Sequence, residues 1–169
     1  MPQEALIDML DQYLDCMARP IELANGEILK FMGDGILATF ELPTTDPHEV
    51  QLACEMALAT SRQMIGAVKA LNSKREAAGK PVMELDIALH VGDVMYGNVG
   101  SENRLDFTVI GPAVNEVSRI EALCDVLESN LIASGDFVRL ARGGTLGLVS
   151  CGMHELRGVR EPIELFCER

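Results

Sequence analysis

The sequence predicts an α/β fold, built as a sandwich in which helices cover one sheet, in a single domain over residues 1–169. The chain has 169 residues and 48% hydrophobic content, which suits one compact domain with a single core. Apolar residues at the helical period alternate along the chain with apolar residues at the strand period of two. No repeat, low-complexity tract or linker divides these segments.

The first half of the chain predicts a helix, a hairpin and a second helix. Residues 3–19 carry apolar side chains at helical spacing, which gives one stripe for packing. Residues 27–32 and 36–41 flank Gly33-Asp34-Gly35, and an Asp-Gly pair between apolar runs predicts a β-hairpin with Asp34 at its tip. Asp46-Pro47-His48-Glu49 then predicts the start of a helix that ends near residue 78.

The second half predicts more strands and two further helices. Residues 85–91, 94–99 and 105–110 read as strands, and the Gly-rich segment 97–104 is expected to connect the last two. Gly111-Pro112 predicts a helix to about residue 127. A strand at 131–134, a short helix after Asp136, and strands near 146–150 and 162–167 complete the prediction.

The net charge, the length of the apolar runs and the first residues of the chain limit the expected partners and the expected location of the protein. The formal net charge of −12 would repel a nucleic-acid polymer, whereas a small nucleotide remains compatible because salt screens distant charge over about 8 to 10 Å. The apolar runs are much shorter than the roughly 20 residues of a membrane helix. The first residues have neither a basic segment nor an apolar core of a secretory signal. We therefore expect a cytoplasmic protein without a membrane segment.

The five cysteines predict reduced, mostly buried thiols. They are scattered without a C-x-x-C pair, and an odd number does not suit a closed disulfide framework. The positions are Cys16, Cys54, Cys124, Cys151 and Cys167.

Two pairs of polar residues are candidate binding groups, each with a simpler structural interpretation. Asp34 at the hairpin tip and Lys30 four residues earlier could bracket a ligand, or they could be a turn aspartate and a solvated strand residue. Asn115 and Arg119 lie one turn apart on a predicted helix and could contact one ligand, or Arg119 could pair with Glu116 or Glu121. His90, with no second ligand at metal-binding spacing, is expected to be packed or hydrogen-bonded.

Several linked motifs in register resemble the class III adenylate/guanylate cyclases, in their bacterial branch. The motifs are NGEILKFMGDGILATF at 25–40, LHVG at 89–92, YGNVG at 96–100, RLDFTVIGPAVN at 104–115 and LRGVREPIELF at 156–166. The likeness covers nearly the whole chain. It implies a ferredoxin-like nucleotide cyclase fold, with a mostly antiparallel sheet covered by helices.

The resemblance implies a head-to-tail dimer, either a homodimer or a pair with a related cyclase domain, in which both subunits contribute to each active site. Asp34 falls on the second metal aspartate, with Mg²⁺ or Mn²⁺ as the expected ions, two in each site. Lys30 and Thr108 fall on the two purine-selecting positions. Asn115 falls on the asparagine that orients the ribose, and Arg119 on the arginine that stabilises the transition state.

The purine-selecting pair favours ATP over GTP. Adenine offers an acceptor at N1 and a donor at N6, which a lysine donor and a threonine hydroxyl complement, whereas guanine's two donors would call for a carboxylate. Many members of the family have aspartate at the position of Thr108, and a bacterial branch of adenylate cyclases has threonine.

The sequence departs from the family pattern in two places. Family members begin with a strand Phe-x-Asp-Ile-x-x-Phe-Thr, which carries the first metal aspartate, and this sequence starts after it. We therefore expect the first strand to be missing and two-metal chemistry to be weakened. Arg157, with Arg160 nearby, stands where the family usually has lysine in its phosphate-contacting segment, so the charge is kept while the contact geometry changes.

Three functions are compatible with these residues. The first is an adenylate cyclase domain that converts ATP to 3′,5′-cyclic AMP and pyrophosphate in intracellular signalling. The alternative is a catalytically inactive nucleotide-binding or dimerisation module. A bare scaffold is the third, and it would predict no effect of changing Lys30 or Arg119 on ATP affinity.

Overall fold

A computed structural model describes residues 3–43, 46–101, 104–142 and 147–169. These ranges contain four helices and eight strands. The helices are α1 (Gln3–Leu23), α2 (Pro47–Ala77), α3 (Pro112–Glu121) and α4 (Gly135–Ala141). The strands are β1 (Glu27–Met32), β2 (Gly35–Thr39), β3 (Ile87–Leu89), β4 (Met95–Ser101), β5 (Arg104–Ile110), β6 (Leu131–Ser134), β7 (Leu148–His154) and β8 (Ile163–Glu168). The chain divides into two compact units, and the single domain over 1–169 stays a prediction.

The first unit comprises the residues up to 42 and residues 56–85. Helix α1 buries one stripe, formed by Met9, Tyr13, Met17 and Ile21 at intervals of four, and it contacts both strands of the β1–β2 hairpin. The helix ends in a Schellman motif, in which the Gly26 N–H donates to the Ile21 carbonyl at 2.8 Å. This ending turns the chain directly into β1.

The segment that leads out of α2 is held by side chains within the same unit. Arg75, which is 6% exposed, donates from Nε to the Pro81 carbonyl at 2.6 Å. Asn72 donates from Nδ2 to the Met83 carbonyl at 2.7 Å and accepts from the Met83 N–H at 3.2 Å. The Tyr13 hydroxyl donates to the Glu84 carbonyl at 3.0 Å. Residues 81–84 are therefore fixed although they belong to no strand.

The second unit comprises residues 43–55 and 86–169. Its larger sheet has the order β3-β6-β8-β7, in which β3 and β6 are parallel and the other two pairs are antiparallel. All four residues of β6 are buried. Helix α3 contacts β3 and β6, while α4 contacts β6 and β8. The core between them contains Ile120, Cys124, Ile132, Leu156, Leu165 and Cys167.

Strands β4 and β5 form a separate antiparallel pair in the second unit. Their register runs from Met95 opposite Ile110 to Ser101 opposite Arg104. The predicted strand at 94–99 is thus longer, and glycines 97 and 100 lie in the strand rather than in a connection. Backbone pairing with β5 outweighs the weak strand preference of glycine here. Residues 102–103 of the predicted connection lie outside the described residues.

The predicted fold class is confirmed, since the described chain is an α+β structure with four helices and mostly antiparallel strands. Helix α2 starts at Pro47, and the Asp46 side chain accepts the His48 N–H at 2.8 Å, as an N-cap does. Helix α3 ends at Glu121, six residues earlier than predicted, and turns follow it to Glu128, which has a positive φ of 51°. The predicted start of a strand at residue 146 lies outside the described residues.

The prediction that all cysteines are reduced thiols is wrong for one pair. Cys151 and Cys167 form a disulfide, with Cα atoms 6.1 Å apart, across the antiparallel strands β7 and β8. Cys151 lies at the register shift between Ser150 and Gly152. The other three cysteines are free. Sequence spacing does not reveal this pairing, because the bulge sets which residue faces Cys167.

Candidate functional site

Asp34 lies at the exposed tip of the β1–β2 hairpin, as predicted. Met32 pairs with Gly35, so the two-residue turn consists of Gly33 and Asp34. Gly33 has a φ of 67°, which suits a hairpin turn with glycine at its first central position. The turn is thus centred one residue earlier than the Asp-Gly pair suggested. The Asp34 carboxylate has no hydrogen-bond or ion-pair partner among the described residues.

Lys30 is exposed on β1, four residues before Asp34. It pairs with Leu37, and a register shift lies between Ile28 and Lys30. A bulge of this kind re-aims the side chains that follow it. Lys30 and Asp34 both project from the hairpin without a partner in the described part of the chain, which leaves both charges available to a ligand.

Helix α3 is held close to the preceding loop where it begins. Gly111 precedes Pro112 at the first helical position, and a Cβ on Gly111 would lie 2.7 Å from the Asp93 carbonyl oxygen. A Cβ on Gly92 would lie 2.5 Å from the Ala113 Cβ. Larger side chains at 92 or 111 would therefore displace the helix that carries Asn115 and Arg119.

Asn115 and Arg119 lie one turn apart on α3, as predicted. Asn115 is exposed and Arg119 is partly buried. The Arg119 guanidinium lies over the turn at residues 156–159, since a Cβ on Gly158 would be 3.3 Å from Arg119 Nη1. Gly158 has a φ of 78°, which favours glycine. The interpretation in which Arg119 pairs with Glu116 or Glu121 is not supported, because Arg119 has no ion-pair partner among the described residues.

The core beneath α3 fixes this proximity. Ile120, which follows Arg119, and Leu156, which begins the turn, are 0% and 5% exposed in the same hydrophobic cluster. The Val159 N–H donates to the Leu156 carbonyl at 3.0 Å and closes the turn. Arg157 and Arg160 are both exposed in and beside this turn. The second unit thus gathers three arginines from segments that are nearly 40 residues apart in sequence.

Cys124 belongs to the same core and is inert at neutral pH. Burial raises the pKa of its thiol to about 12, with further increases from the charges of Asp86 and Glu121. Its Sγ lies 3.9 Å from the Ile87 carbonyl oxygen. A thiol with so high a pKa is not a nucleophile, so Cys124 is a packing residue.

Thr108 lies on β5 beside open space. It pairs with Gly97 on β4, and residues directly opposite in an antiparallel pair share one face of the ribbon. A Cβ on Gly97 would meet nothing within 4 Å. The Thr108 side chain is partly buried. The residue opposite it, Gly97, has no side chain that would block a planar ligand from reaching Thr108.

His90 is hydrogen-bonded, as predicted, and the sequence did not indicate its partners. Its side chain is 3% exposed, and Nε2 lies 2.8 Å from Glu116 Oε2 on α3. Nδ1 lies 2.9 Å from the Ser134 hydroxyl, which also accepts the Phe137 N–H at the start of α4. Glu116 and Ser134 are 26 and 44 residues away in sequence, and no spacing signal could have identified them.

Asp34 could supply one ligand of a divalent cation. A carboxylate oxygen is a natural ligand of Mg²⁺ or Mn²⁺, and the side chain is exposed and unpaired. However, no group of three or more His, Cys, Asp or Glu side chains in the described ranges could hold a metal ion. One carboxylate does not complete a two-metal site, so further donors would have to come from a second subunit, from the nucleotide phosphates or from other residues.

The chain belongs to the family of adenylate and guanylate cyclase catalytic domains, whose sequence model matches residues 2–166. It is therefore a class III nucleotide cyclase domain by descent. None of the helices in the described ranges is both long and apolar enough to span a bilayer.

Two curated relatives are named as adenylate cyclases. The chain is 31% identical over 135 residues to adenylate cyclase 1 of Rhizobium meliloti (strain 1021), an alignment covering 80% of this chain and 20% of that protein. It is 37% identical over 134 residues to the adenylate cyclase of Anabaena cylindrica, covering 77% of this chain and 25% of that protein. The chain thus spans a fifth to a quarter of the length of these relatives.

Solved structures of both nucleotide specificities share the fold. A bacterial light-regulated adenylyl cyclase superposes with a TM-score of 0.82 at 26% identity over 100% of this chain and 46% of that chain. A guanylyl cyclase superposes with a TM-score of 0.78 at 28% identity, covering 99% and 81% of the two chains. An adenylyl cyclase from P. aeruginosa gives 0.75 at 26% identity, covering 99% and 83%. The fold therefore does not decide between ATP and GTP.

Proposed function

We propose that this chain is an adenylate cyclase domain, which converts ATP to 3′,5′-cyclic AMP and pyrophosphate at a site shared between two subunits. The observation that carries the proposal is the unpaired Arg119 guanidinium over the 156–159 turn, with Asn115 one turn earlier on α3. The family membership supports the reaction class. The proposal includes a homodimer or a pair with a related cyclase domain, and a cytoplasmic location in a signalling pathway.

In the proposed reaction the ribose 3′-oxygen attacks the α-phosphorus, and pyrophosphate leaves from the opposite side. Negative charge grows on the phosphorane oxygens during this step. Arg119 can donate several fixed hydrogen bonds to them, an interaction that strengthens as the charge develops. In this proposal Asn115 holds the ribose, so that the attacking oxygen is aligned. Arg157 and Arg160 add positive charge for the triphosphate near the same turn.

The purine would be selected by Lys30 and Thr108. A lysine ammonium can donate to adenine N1, and the threonine hydroxyl can accept from the N6 amino group. The open space opposite Thr108, at Gly97, supports access of a flat ring to this side chain. ATP is therefore the proposed substrate over GTP.

Asp34 is proposed as one ligand of Mg²⁺ or Mn²⁺. Bound ions of this kind neutralise the triphosphate and lower the pKa of the 3′-hydroxyl. The exposed and unpaired state of Asp34 supports this role, and the remaining donors are left to the nucleotide and to other carboxylates.

The test is an assay for cyclic nucleotide with ATP or GTP, in Mn²⁺ and at protein concentrations high enough for dimerisation. We expect cyclic AMP to be the main product. A matched chain extended by the family's Phe-x-Asp strand is expected to be more active, because it supplies a second carboxylate. The absence of cyclic nucleotide from both chains would contradict the proposal.

The substrate preference has its own test in Thr108→Asp. A carboxylate accepts hydrogen bonds from guanine N1 and N2, so the ratio of kcat/KM for GTP to that for ATP should rise about tenfold or more. Thr108→Val, which removes the hydroxyl and keeps the shape, is the matched control and should lower ATP use without favouring GTP. An unchanged ratio in Thr108→Asp would show that another residue reads the base.

A second candidate function is a catalytically inactive module that binds nucleotide or dimerises. It is favoured because, in the matched motifs of the given sequence, one carboxylate, Asp34, falls on a metal-binding position. Binding of ATP without turnover in both the given and the extended chain would support this function over the first.

A further inference from the structure

Glu116 lies on the same face of α3 as Arg119, and it is turned away from it. The two residues are three positions apart, a spacing at which opposite charges on a helix commonly pair. Instead, the Glu116 carboxylate lies 2.8 Å from His90 Nε2. No ion pair joins Glu116 to Arg119 in the structure, and Arg119 has no other charged partner among the described residues.

The His90 ring is fixed from both sides, so it can hold Glu116 in one orientation. An ionised carboxylate only accepts hydrogen bonds, which places the proton of a neutral ring on Nε2. Nδ1 then accepts from the Ser134 hydroxyl at 2.9 Å, while the Ser134 oxygen accepts the Phe137 N–H at 3.3 Å. Both nitrogens of the His90 ring therefore have a partner. Ser134 is fully buried and His90 nearly so, hence water does not compete for the ring.

We infer that His90 is a positioning residue that holds Glu116 away from Arg119 and so keeps the arginine available to the nucleotide phosphates. This inference rests on the proposed function only for the role of Arg119. It goes beyond that function by assigning a task to His90, Glu116 and Ser134, none of which needs to touch the substrate. Glu116 is 23% exposed, and once released it would find Arg119 one turn away as its nearest cation on α3.

The experiment compares His90→Asn with His90→Gln. A glutamine amide reaches the place of Nε2 and can still donate to Glu116, whereas an asparagine amide reaches only the place of Nδ1. In His90→Asn we expect kcat to fall by up to about fivefold with little change in KM, since competition from an exposed ion pair has that upper limit. His90→Gln should stay within about twofold of the wild type by the same estimate. His48→Asn, at an exposed histidine of α2, is the control.

A double variant distinguishes pairing of Glu116 with Arg119 from a general destabilisation of α3. Adding Glu116→Gln to His90→Asn removes the competing carboxylate, so kcat should return to within about twofold of the wild type. If His90 only stabilised α3, the double variant would be at least as impaired as the single one. Thermal unfolding of each variant confirms that the comparison is made between folded proteins.

A readout that needs no turnover is the NMR signal of the Arg119 Nε–Hε group in this chain. The signal should shift in His90→Asn and return in the double variant, because the ion pair forms and is then removed. An unchanged signal in folded His90→Asn overturns the inference, as does equal loss of kcat in His90→Asn and His90→Gln. The expected shifts in a wild type that makes no cyclic nucleotide would support the inference and count against the proposed function.

Discussion

The hairpin tip and helix α3 differ in how strongly the surrounding structure holds their candidate residues. At the tip, Asp34 and Lys30 are exposed, unpaired in the described chain, and placed only by a two-residue turn and a bulge. On α3, Arg119 lies against Gly158, and its neighbours Ile120 and Glu116 are held by the core and by His90. The charged side chains of the hairpin tip therefore do not pack against the rest of the protein. The position of the charged Arg119 side chain, in contrast, depends on packing around α3.

This difference predicts how each region responds to mutation. Changes at the hairpin tip should remove activity and leave stability intact, since the side chains there contact nothing that folding requires. Changes around α3 should couple activity to stability. The following variants test the contrast, and their expected effects decrease in order.

Asp34→Asn should reduce metal-dependent cyclase activity by about a thousandfold or more, because charge neutralisation at the phosphates contributes several kcal/mol. The melting temperature should not change, as the side chain is exposed and unpaired. Steady-state kinetics over a Mn²⁺ titration, with thermal unfolding, measures both. Asp11→Asn on the exposed face of α1 is the control. A loss of stability in Asp34→Asn would show that the turn, rather than a ligand site, needs this carboxylate.

Arg119→Ala should lower kcat by about 10²- to 10³-fold and leave KM for ATP within a few fold, since the arginine is proposed to act mainly in the transition state. Arg19→Ala, at an exposed position of α1, should leave both constants unchanged. An increase in KM with kcat preserved would instead assign Arg119 to ground-state binding of the triphosphate.

Gly158→Ala and Gly152→Ala form a matched pair on the second unit. Both glycines have a positive φ, 78° and 92°, so alanine should cost about 1–2 kcal/mol at each position. Only at Gly158 would the new Cβ meet Arg119, at 3.3 Å, whereas the Gly152 position is open. We therefore expect kcat to fall about tenfold in Gly158→Ala alone, a cost of about 1.4 kcal/mol in the barrier. Equal kcat in the two variants would mean that the arginine adjusts freely.

Stability at alkaline pH should report on the buried thiols. Burial raises the pKa of Cys124 to about 12 and that of Cys54 to about 11, from an ordinary value of 9.0. The folded state therefore favours the protonated thiols, and the unfolded chain loses its protons first. Stability should be full below pH 9 and fall between pH 9 and 12, by at most about 1.4 kcal/mol per pH unit for each thiol.

Urea unfolding between pH 8 and 11 measures this slope. Cys124→Ala should be less stable at every pH because it leaves a cavity, and its stability should depend less on pH. An identical slope in wild type and variant would show that Cys124 ionises as easily in the folded protein as in the unfolded chain.

Local signals predicted the elements whose geometry is set by neighbouring residues. Asp46-Pro47 indicated the start of α2, and the Asp34-Gly35 pair between two apolar runs indicated the hairpin to within one residue at the turn. Helical spacing singled out Asn115 and Arg119, which the structure places one turn apart as expected, and the resemblance supplied their expected roles.

Features that depend on distant pairing were not predictable. Helix α3 stops at Glu121 although Leu123 and Leu127 continue the apolar pattern, because these side chains pack on the core from turns. Nothing in the spacing of His90 and Glu116 indicates their contact. The Cys151–Cys167 bond likewise depends on a bulge in β7, which only the strand register reveals.

The segment 81–84 has a consequence for backbone dynamics. The Met83 N–H is bound by the Asn72 side chain in the way that an adjacent strand would bind it. Its deuterium exchange should therefore be slow for a residue outside regular secondary structure, and Asn72→Ala should make it fast. The Asn72 amide thus occupies the backbone N–H and carbonyl of Met83, as a neighbouring strand would. Because these two groups are already bonded, they are less available to pair with a strand of another chain.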